Sequence, residues 1–348
     1  MSQPSQPDPT QIAQRRRIGR TALEVTALSL GTAPLGGLYR DLTEEEAQAT
    51  VDAAWNAGIR FFDTAPHYGH TKAEHRLGAA LRRHPRGDYV LSTKVGRRFV
   101  PRTHPDDGSE GWQNPLPFEA IYDYTYDGIL RSFEDSQQRL GITDIDILLV
   151  HDIGRFTHGD RHPHYWQQLT GGGFRALDEL RSRGAVKAIG FGVNEREVIL
   201  DAIREFDIDC ALLAGRYTLL EQAPLDDLLP KCIERGVSIL LGGAFNSGIL
   251  AHGVEGDRKF NYGAAPPDVI ERVARLDAVC RAHGVPLAAA ALQFPYAHPA
   301  VATVLNGARS VAELQENVAS FARPIPSALW TALRDEGLLD ARAPAPRA

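Results

Sequence analysis

Short apolar runs alternate with stretches of helical period along nearly the whole chain. The runs fall at 27–30, 60–62, 89–93, 145–150, 188–193, 211–214, 238–241 and 302–305, several with the β-branched or aromatic residues that suit buried strands. Each is followed by a segment whose apolar positions recur with the period of a helix, at 43–57, 72–83, 121–140, 173–183, 195–206, 225–235, 267–283 and 311–321. The punctuation agrees. Thr43 before Glu44-Glu45-Glu46 has the form of an N-cap with acids in the first turn, and Gly58, Gly184, Gly236 and Gly284 stand where helices end.

Eight strand–helix units predict an α/β fold, a (β/α)8 TIM barrel, which typically takes ~250 residues before insertions. The barrel domain is expected over 15–340, between a disordered N-terminal tail at 1–14 and a frayed C-terminal tail at 341–348. A doubly wound sheet is the alternative. It lacks its G-x-G-x-x-G after the first strand, which leads instead into Gly31-Thr32-Ala33-Pro34-Leu35-Gly36-Gly37. Residues 17–25, with Gly19-Arg20 as a turn, form a candidate hairpin plugging the barrel bottom. Loops at 96–120 and 152–172 are longer than a barrel needs and follow strand ends, so they are expected to be lid and specificity elements on the catalytic face.

Composition narrows the class. The 348 residues are 43% hydrophobic and 24% charged, as in soluble globular proteins. A formal net charge of −6 argues against a nucleic-acid partner. Three widely spaced cysteines, Cys210, Cys232 and Cys280, suggest a reducing compartment without a disulfide framework. Residues 1–14 lack the apolar core of a signal peptide, and no apolar run reaches the ~20 residues that cross a bilayer. A cytoplasmic protein without membrane association is expected.

The chemistry centres on Arg60-Phe61-Phe62-Asp63-Thr64-Ala65-Pro66-His67-Tyr68-Gly69, an apolar strand that runs into a tight polar loop. Asp63 closes that strand, Lys94 closes the third and His151 the fourth. Polar groups at consecutive strand ends point into a barrel mouth, where burial without partners is costly. Asp63 can pair with Lys94, whose charge would stabilise the Tyr68 phenolate and move its pKa from ~10 toward the working range of an acid/base. His151 can hydrogen-bond the same reacting oxygen. The bland alternative is a structural ion pair with a satisfied core histidine.

Asp63-Thr64-Ala65-Pro66-His67-Tyr68-Gly69, Ser92-Thr93-Lys94 and Val150-His151-Asp152 resemble the catalytic segments of the aldo-keto reductase superfamily, in matching order, and the resemblance runs over 17–322. It implies Tyr68 as acid/base, Lys94 and Asp63 as its tuners and His151 as substrate orienter. It also implies NAD or NADP across the barrel top, at Gly31, Thr32, Asp63, Asn194, Tyr217, Gly243, Ala244, Phe245, Asn246, Ser247, Gly248, Asn306, Gly307, Arg309, Glu313, Glu316 and Asn317. Within that set, Gly190-Phe191-Gly192-Val193-Asn194 resembles the carboxamide-holding segment, and 243–248 the loop that wraps the pyrophosphate. The chain departs from the family in having Ala214 for the usual sixth-strand Gln and Gly242 for the seventh-strand aromatic. Glu313 stands where NADP-preferring members carry a basic residue, which favours NAD.

Leu213-Ala214-Gly215-Arg216-Tyr217-Thr218-Leu219-Leu220, Tyr124-Thr125-Tyr126-Asp127 and Val150-His151-Asp152-Ile153-Gly154 resemble the sugar 1-dehydrogenase branch. That resemblance implies oxidation of a cyclic hemiacetal, such as an L-fucose or D-threo-aldose sugar, to its lactone. Members acting on pyridoxal (giving 4-pyridoxolactone) or L-galactose share much of the pattern. His67, Trp112, Arg155 and Tyr217 are the candidate substrate contacts.

Three rivals remain at this level. One is a general NADPH-dependent aldehyde or ketone reductase, and another is a cofactor-binding redox-sensing subunit without robust turnover. The third is a metal-dependent hydrolase using His151, His158, His162 and His164 with Asp152 and Asp160; the first strand offers it no His-x-His, and no metal is expected.

Overall fold

In the computed structural model, which describes residues 9–346 apart from Pro105, Asp107, Ser109 and Asp257, eight parallel strands close into a barrel. They are β1 (Leu28–Gly31), β2 (Phe61–Asp63), β3 (Val90–Val95), β4 (Ile147–His151), β5 (Ala188–Val193), β6 (Cys210–Ala214), β7 (Ser238–Gly242) and β8 (Val301–Gly307). Each pairs with its neighbour in sequence, and β8 returns to β1 with Asn306 opposite Leu30, so no strand edge of the barrel is left open. All eight expected runs are barrel strands.

Among the described residues, ten helices of eight or more residues surround the barrel: α1 (Glu44–Asn56), α2 (Lys72–Leu81), α3 (Tyr126–Leu140), α4 (Phe174–Ser182), α5 (Arg196–Glu205), α6 (Leu228–Arg235), α7 (Pro267–Ala282), α8 (Leu287–Tyr296), α9 (Val311–Phe321) and α10 (Ser327–Asp335). Thr43 caps α1 in a full capping box with Glu46. Gly236 ends α6 in the left-handed conformation at φ 64°.

Inside the barrel, Ile18 and Val25 of an antiparallel hairpin (Arg15–Arg17 with Glu24–Thr26) pack against Phe61, Val90, Ile147, Leu149, Leu212 and Leu240. The hairpin is the expected bottom plug, and it fixes which end stays open. At its turn, a Cβ on Gly19 would lie 2.4 Å from the Asp209 carbonyl oxygen, so only glycine fits there.

Four expectations change. The third helix starts at Tyr126, because Phe118–Tyr122 pairs with Arg97–Pro101 as a hairpin and Thr125 is the helix N-cap. Part of the 96–120 loop is therefore sheet. The 152–172 loop is largely helical, with Arg155–His158, His162–Gln168 and a wide π turn at Leu169–Gly173. Helix α8 has no amphipathic signature because it is apolar all round and mostly buried. The tails also pack: Pro9–Ala13 is a helical turn with Ile12 buried, and Ala343 is buried under a hydrogen bond from Arg334 Nη2 to its carbonyl (2.8 Å). The rest of the tail expectation, at 1–8 and 347–348, lies outside the described residues. Among the described residues no helix is long and apolar enough to cross a membrane.

Candidate active site

Strand register brings the tetrad together. Asp63 sits opposite Ser92, Lys94 opposite Leu149 and His151 opposite Gly192. Ser92 and Lys94 are two residues apart and share the inner face. The lysine stem needs room inside the barrel, and Gly192 gives it: a Cβ there would lie 3.2 Å from Lys94 Cε. Tyr68 arrives from the loop after β2. Gly36 and Gly69 let two backbones touch there, since a Cβ on Gly69 would fall 2.2 Å from the Gly36 carbonyl oxygen.

Lys94 Nζ donates to Asp63 Oδ2 (2.7 Å), to the Thr64 carbonyl (2.9 Å) and to the Tyr68 hydroxyl (3.0 Å). The Ser92 hydroxyl donates to the other Asp63 oxygen at 2.6 Å. Burial pushes the Lys94 pKa down, but Asp63 and Tyr68 outweigh it, so the lysine stays charged with its pKa raised. For Tyr68, burial raises the phenol pKa and Lys94 pulls it back without overcoming it. This corrects the expectation of a lowered tyrosine: the lysine acts in the expected sense, but desolvation is larger. Burial, reinforced by Arg97 and Lys94, holds His151 well below its ordinary range, so its imidazole is neutral.

Tyr68, Lys94 and His151 line a cavity of about 450 Å³ that also takes in His67, Trp112, Arg97, Asp152, Tyr39, Phe156, Thr157 and Tyr262. Trp112 is held there by a bridge to Leu38, and its ring lies 5.9 Å from that of Tyr68 and 5.2 Å from that of His67. The sequence-predicted His67 and Trp112 therefore stand at the cavity. Arg155 does not line it; it is exposed at the start of a helical turn, and its neighbours Phe156 and Thr157 face the cavity instead. His158, His162 and His164 are spent on Tyr124, the Ile153 carbonyl and Gln168. Among the described residues no group of three or more potential ligands gathers for a metal.

A second cavity, about 240 Å³, continues from the first across the barrel mouth. Gly31, Thr32, Asp63, Asn194, Gly243, Asn246, Ser247 and Gly307 line it, with Ala214, Gly242 and Tyr262. A dinucleotide fits this groove by several signs. Gly31 opens onto it, with nothing within 4 Å of where a Cβ would stand. Thr32 Oγ1, in its wall, is a buried polar atom lacking a partner; Asn306 Nδ2 also lacks one, but Asn306 does not itself line the groove. Positive φ at Gly243, Asn246, Ser247 and Gly248 bends the β7 loop around the groove. Ala244 is fully buried and Phe245 packs against the core, so these two shape that loop from behind. At the far end, Arg309 Nη2 and Glu313 form an ion pair at 2.8 Å, Asn317 Nδ2 donates to the Gly307 carbonyl (3.4 Å), and Glu316 is exposed.

Tyr217 is the misplaced residue of the cofactor set. It is fully buried against Phe294 and His298, because the chain reverses at Gly215 (φ 67°) and carries the ring behind the groove. Three aromatic side chains line both cavities, Tyr39, Tyr68 and Tyr262, the last carried by the small hairpin of Lys259–Phe260 and Gly263–Ala264. The Tyr262 hydroxyl donates to Asn194 Oδ1 at 3.2 Å. Arg97 has no place in the sequence reading and Asp152 is a site candidate there only as a metal ligand, although each stands close after a tetrad residue and lines the cavity.

The Aldo/keto reductase family model matches residues 27–335. The chain is 51% identical over 337 residues to pyridoxal 4-dehydrogenase of Microbacterium luteolum, covering 94% of this chain and 98% of that one. It is 40% identical over 322 residues to D-threo-aldose 1-dehydrogenase of a Pseudomonas species, covering 91% and 95%. Among solved structures, an aldo-keto reductase of Bacillus halodurans in its holo form superposes with a TM-score of 0.71 at 26% identity, covering 95% of this chain and 98% of the other. The chain belongs to the aldo/keto reductase family, as a NAD(P)-dependent oxidoreductase on a (β/α)8 barrel.

Proposed function

We propose that this enzyme oxidises a cyclic hemiacetal to its lactone, with Asp63, Tyr68, Lys94 and His151 as the catalytic set. The observation that carries the reading is the buried Lys94 ammonium, which holds the Tyr68 hydroxyl at 3.0 Å on the cavity wall beside a neutral His151. Tyr68 as phenolate takes the proton of the hemiacetal hydroxyl, and Lys94 stabilises the charge on the phenol oxygen before the transfer. The neutral His151 donates a hydrogen bond to the same substrate oxygen and orients it. NAD(P), when bound in the neighbouring groove, supplies the acceptor for the hydride. Because the ring stays closed, no free aldehyde is required. Tyr39, Trp112, Phe156 and Tyr262 offer apolar faces to a ring.

The substrate class is a ring-closed hemiacetal of the L-fucose or D-threo-aldose type. A second reading, pyridoxal in its cyclic form going to 4-pyridoxolactone, is favoured by the 51% identity to a pyridoxal 4-dehydrogenase against 40% to the aldose enzyme. NAD is proposed over NADP because Glu313 accepts from Arg309 N (2.9 Å) and Nε (3.0 Å), neutralising a cation that a 2′-phosphate would otherwise meet. A cytoplasmic setting is supported by three cysteines that are all buried and free. The test is product identification. Incubation with NAD and either substrate should yield the lactone with reduced cofactor, while a methyl glycoside, which lacks the hydroxyl proton, should give nothing. Turnover of the glycoside, or an acid formed only from open-chain aldehydes, would sink the reading.

A further inference from the structure

Beside the tetrad, the cavity holds a second buried ion pair that the catalytic roles leave unused. Arg97 Nη2 donates to Asp152 Oδ2 at 2.7 Å, and the two side chains are 5% and 16% exposed. The same Asp152 oxygen lies 3.4 Å from His151 Nε2, so the pair touches the histidine of the tetrad. The other oxygen, Oδ1, makes no hydrogen bond to any described residue, and Asp152 lines the cavity. The backbone is committed to this placement. Asp152 stands at φ 45°, a conformation that non-glycine residues seldom adopt, and its N–H donates to the Gly192 carbonyl at 2.9 Å. The cavity's other carboxylate, Glu110, is 41% exposed and already engaged by His70 at 2.7 Å.

We propose that Asp152 is a substrate-binding residue whose free Oδ1 accepts a hydrogen bond from a second hydroxyl of the substrate, next to the one that is oxidised. The inference rests on the hemiacetal reading. Anchored through Oδ2, the carboxylate is fixed by Arg97, a positioning residue, within reach of an oxygen neighbouring the one held by Tyr68 and His151. In a sugar that partner is the hydroxyl on the adjacent ring carbon; in pyridoxal it is the phenolic hydroxyl beside the formyl-bearing carbon, bound as the tautomer in which that oxygen keeps its proton and the ring nitrogen is neutral. The shared chemistry is a hydroxyl donor flanking the reacting hydroxyl. A fixed buried acceptor left unpaired by a substrate lacking that hydroxyl gives strong discrimination.

The test compares L-fucose with 2-deoxy-L-fucose, and pyridoxal with 3-deoxypyridoxal, in wild type and Asp152→Asn with NAD. Binding is monitored in parallel by quenching of protein fluorescence, since Trp112 stands at the cavity. In wild type the hydroxylated member of the accepted pair should be preferred by at least about 100-fold in kcat/KM. In Asp152→Asn that ratio should collapse to within about 3-fold, through KM rather than kcat, because the contact is made in ground and transition states alike. General structural damage would slow both members of a pair together and leave their ratio in place. A wild-type ratio near one, or a ratio unchanged in the variant, overturns the proposal. The wild-type ratio decides the matter even if the variant fails to fold. If neither parent compound is turned over, the hemiacetal reading fails, and the binding preference still judges Asp152: no preference for the hydroxylated member overturns its role.

Discussion

Replacing Lys94 by Met removes the cation from a pair of side chains that are 1% and 3% exposed. Asp63 then keeps only the Ser92 hydroxyl on Oδ1, while Oδ2, the Thr64 carbonyl and the Tyr68 hydroxyl all lose their donor. Breaking a buried pair from one side costs about 3–5 kcal/mol, because an uncompensated charge stays behind. Thermal unfolding should shift down on the order of 4–7 °C for a domain of this size. Turnover should fall by about 10²–10⁴-fold, the range that positioned acid–base catalysis contributes, since the phenol loses the group that opposes its desolvation. The double variant Lys94→Met, Asp63→Asn removes both charges and should regain most of the stability while remaining inactive. Urea or thermal unfolding read by circular dichroism, beside steady-state turnover and cofactor titration, separates the two effects. A single variant within about 1 kcal/mol of wild type, or a double variant that recovers turnover, would refute this account of the tetrad.

Tyr68→Phe deletes the proton path and leaves Lys94 its two other acceptors, so turnover should fall by about 10²–10⁴-fold with cofactor affinity kept and stability lowered by no more than about 1.5 kcal/mol; near-normal turnover would contradict its role. Because the Tyr68 pKa is raised, the phenolate fraction grows only toward high pH, and the oxidation rate should climb through the alkaline range without a plateau below pH ~10. His151 is held well below 6.5, so the profile should show no histidine break near that value; a break there would mean its imidazole titrates freely. Glu313→Arg should shift the kcat/KM ratio of the two cofactors toward NADP by about two- to fivefold, the ~0.5–1 kcal/mol of one partly exposed ion pair, and an unchanged ratio would show that Glu313 does not govern the ribose end.

The barrel was legible because each strand is a short apolar run between helices with their own caps, and because polar residues that end such runs can only face the barrel mouth. Asp63, Lys94 and His151 were readable for that reason. Tyr68 was readable because Pro66 and Gly69 turn the chain back. Other parts depended on contacts that local patterns do not encode. Arg97 meets Asp152 across a long sequence separation, and neither carries a periodic signal. Tyr217 looks like a site residue by its place after β6, yet the left-handed turn at Gly215 sends it into the core. Helix α8 has no polar face to reveal its period. The balance at Tyr68 turns on desolvation, a property of the packed loop and not of the residues in line.

The most direct trial of the central claim is the near-ultraviolet absorbance of reduced nicotinamide, recorded after purified enzyme is mixed with NAD or NADP and L-fucose, L-galactose, D-arabinose or pyridoxal. The account predicts reduced-cofactor formation with at least one of these hemiacetals, faster with NAD, and its loss in Tyr68→Phe. No reduced cofactor with any of them, together with consumption of NADPH by simple aldehydes, would contradict it and identify a general carbonyl reductase.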